Sequence, residues 1–282
     1  MKKAVLFLLL FSFVGLTKAQ LSINQYDNNQ CTKVESAMGW PMSIDPNGNV
    51  YLVNGPILYK FNPAGKLVGK YSNYLLGDIR SIDTDNPLKI MVFYYNESKI
   101  VFLNEKLTPL MEPLDLRSKN YMAVTLATYS TDNTIWIYDA VLHDLINLDF
   151  HLRELSRSHL SMDDLHPNQL ISLQEKQLVM NNPETGVIFF DAFGTYLKTI
   201  PIQSPTHTIQ VDASSIYYIK KIEDKNYIDG SSTLPALYRY DYKNLDNQEV
   251  AVFSTNIMQV EMTASRMYFI DNNLNLHFVT LP

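Results

Sequence analysis

Short apolar runs of four to seven residues alternate with polar turns along most of this chain. The runs are rich in aromatic and β-branched residues, which marks strands and not amphipathic helices. An apolar residue followed by Asn or Asp closes five of them: Phe61-Asn62, Leu103-Asn104, Leu148-Asp149, Phe190-Asp191 and Tyr240-Asp241. The Asx positions are spaced 42, 45, 42 and 50 residues apart. A period of that size predicts stacked or radial repeats, and one four-stranded propeller blade takes about 40–50 residues.

Each copy reads as a hairpin: ILYKFNPAGKL at 57–67, KIVFLNEKL at 99–107 and GVIFFDAFGTYL at 186–197. The Asx side chain bonds the backbone two residues on, and Gly65 or Gly194 supplies a positive φ. Six further strands lie upstream: NVYLV (49–53), KIMVFYY (89–95), TIWIY (134–138), QLVM (177–180), SIYYI (215–219) and RMYFI (266–270). A short segment precedes each. It is clear at Ser43-Ile44-Asp45, Ser81-Ile82-Asp83 and Gln210-Val211-Asp212, and degenerate at Thr128-Tyr129, Ser172-Leu173 and Val260-Glu261. That makes five four-strand units and a sixth with only three strands. The missing strand is expected from Gln20–Met38, because a closed ring leaves no unpaired sheet edge between the first and last blades. The expected fold is all-β, a six-bladed β-propeller closed by an N-terminal strand. A seven-bladed ring competes if the segment before Trp40 and the 222–235 region hide more strands. An open sandwich demands no such repeat.

The first unit reads SIDPNGNVYLV and then FNPAGKLV. Through Asp45, Gly48, Asn49, Phe61 and Gly65 it resembles the NHL/SMP-30-like class of six-bladed propellers. The later units keep the hydrophobic frame and lose most of those glycines. The resemblance implies architecture, since one fold hosts many chemistries.

Lys2 and Lys3, the apolar stretch Ala4–Gly15 and the small residues of Thr17-Lys18-Ala19 read as a secretory leader over residues 1–19. A single propeller domain is expected over 20–282. No apolar run is long enough to span a membrane as a helix. Removing Lys2, Lys3 and Lys18 leaves 20 basic against 29 acidic residues, a net charge near −9. Such a chain is a poor match for nucleic acid or an anionic membrane. The lone Cys31 cannot form an internal disulfide and is expected to be buried. High Asn and Tyr, low Gly and the two-lysine leader resemble exported envelope proteins of the Bacteroidota type. The expected location is therefore the periplasm or the outer membrane.

In propellers, the links between blades and the turns between second and third strands share one face. Three long irregular segments fall there: Arg117–Tyr121, His159–Asn168 and Glu223–Pro235. Long loops tend to carry function. Arg117, Tyr121, His159, Asp163, Asp164, His166, Tyr227 and Asp229 are the candidate partner-binding residues, with Tyr74 a further exposed aromatic. Four histidines (143, 151, 159 and 166) cluster in sequence, but their spacing fits no metal-ligand pattern. Asp45, Asp83 and Asp212 occupy matching repeat positions, where they either cap turns or line the central channel. The SMP-30-like resemblance implies a divalent cation there, with Glu261 as the one candidate for its glutamate ligand. No nucleophile, zinc-helix or phosphate-loop motif is present. Trp40 and Trp136 are expected in the core.

The leading expectation is a non-catalytic scaffold or accessory subunit of an envelope complex, monomeric by itself, with protein partners and no cofactor. The alternatives are an SMP-30-like metal-dependent lactonase and a sugar- or peptide-binding module.

Overall fold

The structure is a computed structural model that describes residues 25–26, 32–34, 41–162, 164–174, 176–204, 209–223 and 233–281. Six antiparallel sheets form a six-bladed β-propeller, and each chain segment runs from an inner to an outer strand. Blade 1 comprises Met42–Ile44, Val50–Asn54, Ile57–Phe61 and Leu67–Ser72. Blade 2 comprises Ile79–Asp83, Ile90–Tyr94, Lys99–Leu103 and the two-residue Leu114–Asp115. Blade 3 comprises Val124–Tyr129, Ile135–Asp139, Asp144–Leu148 and Glu154–His159. Blade 4 comprises Gln169–Ser172, Leu178–Asn182, Gly186–Phe190 and Tyr196–Ile200. Blade 5 comprises Gln210–Val211, Ser215–Glu223, Thr233–Asp241 and Asp246–Phe253. Blade 6 comprises Ile257–Met262, Arg266–Asp271 and Leu276–Thr280.

The fourth strand of blade 6 is Thr32–Val34, antiparallel to Leu276–Thr280 with Lys33 opposite His277. The N-terminal segment therefore closes the ring as expected, and the described residues form six blades. The same segment does one thing the sequence did not suggest: Gln25–Tyr26 adds a fifth strand to blade 5, parallel to its outer edge. At the described ends of the 222–235 region the two middle strands of blade 5 lengthen to nine residues each.

The five Asx turns join third to fourth strands, and each caps its own turn. Asn62 accepts from the N–H groups of Ala64 and Lys66, Asn104 from Lys106 and Thr108, and Asp149 from His151 and Arg153. Asp191 serves Phe193 and Thr195; Asp241 serves Lys243 and Asn244. The left-handed residue is Gly65 or Gly194 in blades 1 and 4, but Leu107 and Leu152 in blades 2 and 3. A positive φ strains leucine by about 1–2 kcal/mol. Both leucines are buried, which offsets about that much. Leu107 packs into the space left by Gly69 of blade 1, where a Cβ would stand 3.2 Å from its methyl. In blades 2 and 3 the leucine that replaces glycine gains inter-blade packing, whereas Leu245 at the same place in blade 5 is exposed.

Apolar clusters fill the wedges between neighbouring blades. Nearer the axis, a polar stitch crosses each of the six junctions. Gln259 exchanges two 2.8 Å bonds with the Met42 backbone, Gln169 two with Ile209, and Gln210 two with Met262. Ser43 bonds Thr84, Asp83 takes the Thr128 hydroxyl and the Tyr129 N–H, and Ser172 bonds Ser130.

Candidate functional site

The inner strands surround a channel of about 540 Å3. Four carboxylates border it: Asp83 and Asp85 from blade 2, Asp212 from blade 5 and Glu261 from blade 6. Asp83 is enclosed, and burial raises its pKa against the opposing pull of Tyr129 N–H and Thr128. Asp85 keeps an exposed surface at the channel but is crowded by protein on its other sides; that burial, then the adjacent Asp83 charge, pushes it up to about 7. Glu261 is pushed up to about 8, first by burial and then by Asp85, although the Ile44 N–H and the Gln259 amide favour its charged form.

Of the matching aspartates, Asp83 and Asp212 border this channel and Asp45 does not, and each is engaged in a structural contact. Asp45 is buried in its own turn, where it accepts from Asn47, from the backbone and side chain of Asn49, and from the Tyr51 hydroxyl. Asp212 caps an exposed turn through Ser214 and Ser215. Asp83 is a blade-to-blade stitch. Among the described residues no group of three or more His, Cys, Asp or Glu side chains is placed to hold a metal ion. The histidines also separate: His143, His159 and His166 lie on the loop face, and His151 on the opposite, hairpin face.

The loop face carries the other candidates. Arg117 donates to the Asn96 carbonyl and lies 3.7 Å from Glu97. Tyr121 is a core residue, not an exposed anchor; its hydroxyl reaches Glu154 at 3.4 Å. Glu154 and Asp144 share the Arg157 guanidinium, and His159 Nδ1 lies 3.1 Å from Asp144. Tyr121 and His159 are thus linked through one ionic network on blade 3. His159 also borders a groove of about 730 Å3 between blades 3 and 4, with Leu160, Met162 and Tyr196. The Asp164 carbonyl accepts the Asn182 amide, and His166 lies 3.6 Å from Glu184. Asp163, Tyr227, Asp229, Cys31 and Trp40 lie outside the described residues, as does the expected leader. Trp136 is core, as expected.

Tyr74 is exposed as expected, and it belongs to an arc of exposed apolar side chains over blades 1 to 3 whose other members, Leu75, Tyr95, Met122, Val141 and Leu142, sequence reasoning missed. Leu75 is 90% exposed and Val141 74%. Asn73 holds the turn that turns Leu75 outward while Leu76 enters the core. Asp139 does the same for Val141 and Leu142. The loops touch in series. Gly77 abuts Asn96, Leu116 N–H donates to Ser98 at 3.0 Å, and Ala140 N–H donates to Ala123 at 3.0 Å. The available signal was apolar residues inside turns, where turn chemistry calls for polar ones.

No protein-family model matches the chain, and no curated protein matches it in sequence. Solved structures match in shape. The Pan2 WD40 domain of Neurospora crassa superposes with TM-score 0.63 at 9% identity, covering 92% of this chain and 97% of that one. A catalytically inactive virginiamycin B lyase of Staphylococcus aureus with quinupristin gives 0.59 at 11% identity, covering 92% and 98%. A streptogramin B lyase gives 0.57 at 9%, covering 89% and 97%. At these identities the likeness is one of fold alone: this chain is an all-β, six-bladed propeller.

Proposed function

We propose that this propeller is a non-catalytic interaction module that seats a protein partner on the loop face of blades 1 to 3. One observation carries the reading: the apolar arc from Tyr74 to Leu142, held outward by capped turns. Single exposed apolar residues are ordinary, whereas contiguous ones on a polar surface mark interaction sites. Arg117 and Glu97 stand within the arc and supply polar contacts of the kind found at interface rims. The leader-like N-terminus supports a place for the module in the cell envelope, as a scaffold or accessory subunit. Crosslinking of tagged protein in its own cells, followed by mass spectrometry, tests this. A stoichiometric envelope partner, crosslinked through the arc, supports it. A clean monomer, or crosslinks confined to the hairpin face, refutes it.

A second reading places a small ligand in the channel, favoured by the Asp85 and Glu261 carboxyls facing it, whose pKa values burial raises. Saturable binding of a sugar or lactone, lost in Glu261→Gln, would establish it over the first.

A further inference from the structure

On the hairpin face, where blades 2 and 3 meet, a lysine is held by aromatic faces alone. The Lys89 ammonium lies 3.5 Å from the ring centre of Phe150, 5.2 Å from Tyr129 and 5.5 Å from Phe102. The three rings brace one another at centroid separations of 5.1, 5.5 and 6.0 Å. Phe102 and Tyr129 are buried in the core between the two blades, and Phe150 is packed against it half-buried. Among the described residues no hydrogen bond or ion pair engages the Lys89 ammonium.

Other lysines on rings differ. Lys60 lies 5.3 Å from Tyr51 but also donates to the Glu105 carbonyl at 2.8 Å. Lys198 faces two rings, Phe189 and Tyr242. Among the described residues only Lys89 faces three, and none of them accepts from its three N–H donors. A primary ammonium is strongly hydrated, so this is an unfavourable setting for it, and burial lowers its pKa. A quaternary ammonium has no N–H to satisfy, and aromatic cages of this kind suit it. The Asp83 and Asp132 charges act on Tyr129 and add a negative field that favours any cation.

We propose that Phe102, Tyr129 and Phe150 form a binding site for a quaternary ammonium group of the choline class, and that Lys89 is its tethered stand-in. Lys89 follows the exposed Leu88 at the start of a strand, so its side chain can swing into solvent and yield the cage.

Lysine acetylation read by mass spectrometry tests this on the wild-type protein. Choline chloride at tens of millimolar should raise Lys89 acetylation about threefold over equal sodium chloride, because it displaces a tethered competitor, and should leave other lysines unchanged. Lys89→Ala should bind choline about tenfold more tightly than wild type by calorimetry. Phe150→Ala in that background should abolish binding. Co-sedimentation with phosphatidylcholine vesicles would assign the group to a lipid headgroup; choline binding without it would assign a free solute. Unchanged Lys89 acetylation in choline overturns the proposal. So does a folded Lys89→Ala protein without saturable binding, or equal binding of ammonium chloride. If Lys89→Ala does not fold, the wild-type acetylation decides alone.

Discussion

The channel wall and the loop face treat their side chains in opposite ways. On the wall, polar groups are turned to structural use: three glutamines, three serines, two threonines and Asp83 tie each blade to the next. On the loop face, apolar groups that could have been buried are held out by capped turns instead. The first arrangement stabilises a ring; the second contributes nothing to folding. That difference is why the interaction reading rests on the loop face and not on the channel.

Ring closure should give the largest effect. Removing residues 20–38 strips blade 6 of Thr32–Val34 and exposes two sheet edges at once. We expect a loss of about 4 kcal/mol or more, a large share of a typical domain's stability, seen as a collapsed melting transition. Gln259→Ala breaks the buried 6-to-1 stitch, together with the Gln259 bond to Glu261, and should cost about 2–3 kcal/mol. If neither variant melts early, the wall is not what holds the ring.

The loop face should behave in reverse. Leu75→Glu with Val141→Glu should weaken partner capture about 100-fold, close to 3 kcal/mol, while the melting temperature stays within about 2 °C of wild type. Phe193→Glu and Leu245→Glu, equally exposed on the hairpin face, should leave capture intact. Equal loss from both pairs would remove the distinction between the faces.

Repetition explains what was legible. The Asx positions recur because every blade needs the same turn, so the hairpins, the blade count and the closing strand could all be read from spacing. The stitches also recur, at Gln169, Gln210 and Gln259, but glutamine carries no pattern that sets a clamp apart from a solvated side chain. The channel acids were half legible. Asp83 shared the repeat position of Asp45 and Asp212, yet whether such a residue caps its own turn or crosses to the next blade depends on packing. Tyr121 looked like a loop aromatic because sequence position does not show which way a side chain turns. The Lys89 cage draws on four separate strand ends and turns, which no local window contains.

The acids offer a pH test of the wall. Glu261 titrates near 8 when folded and about 4.3 when unfolded. Between those values the folded protein keeps a proton that the unfolded chain has released, so stability falls as pH rises through that window. Glu261→Gln keeps the shape without the charge. It should match wild type near pH 4 and exceed it by about 1–3 kcal/mol at pH 8, measured by urea unfolding. A parallel decline in both proteins would show that Glu261 does not titrate in the channel as described.

The smallest effect belongs to the hairpin turns, and nature has run part of the experiment. Blades 1 and 2 use Asn where blades 3, 4 and 5 use Asp, with cap distances of 2.9–3.1 Å at Asn62 and Asn104 and of 2.8–2.9 Å at Asp191. The N–H groups of Thr195 and Phe193 hold the Asp191 pKa below its usual value. Its stabilising contribution is therefore present above the unfolded carboxylate pKa and is lost as pH falls through the folded one. Asp191→Asn retains an acceptor for both N–H groups and removes that acid dependence. It should lie within about 0.5 kcal/mol of wild type at pH 7, whereas Asp191→Ala should lose about 1 kcal/mol. If Asn fails as badly as Ala, then charge and not the shared acceptor geometry holds the turn, and the interchange of Asn and Asp along the repeat needs a different cause.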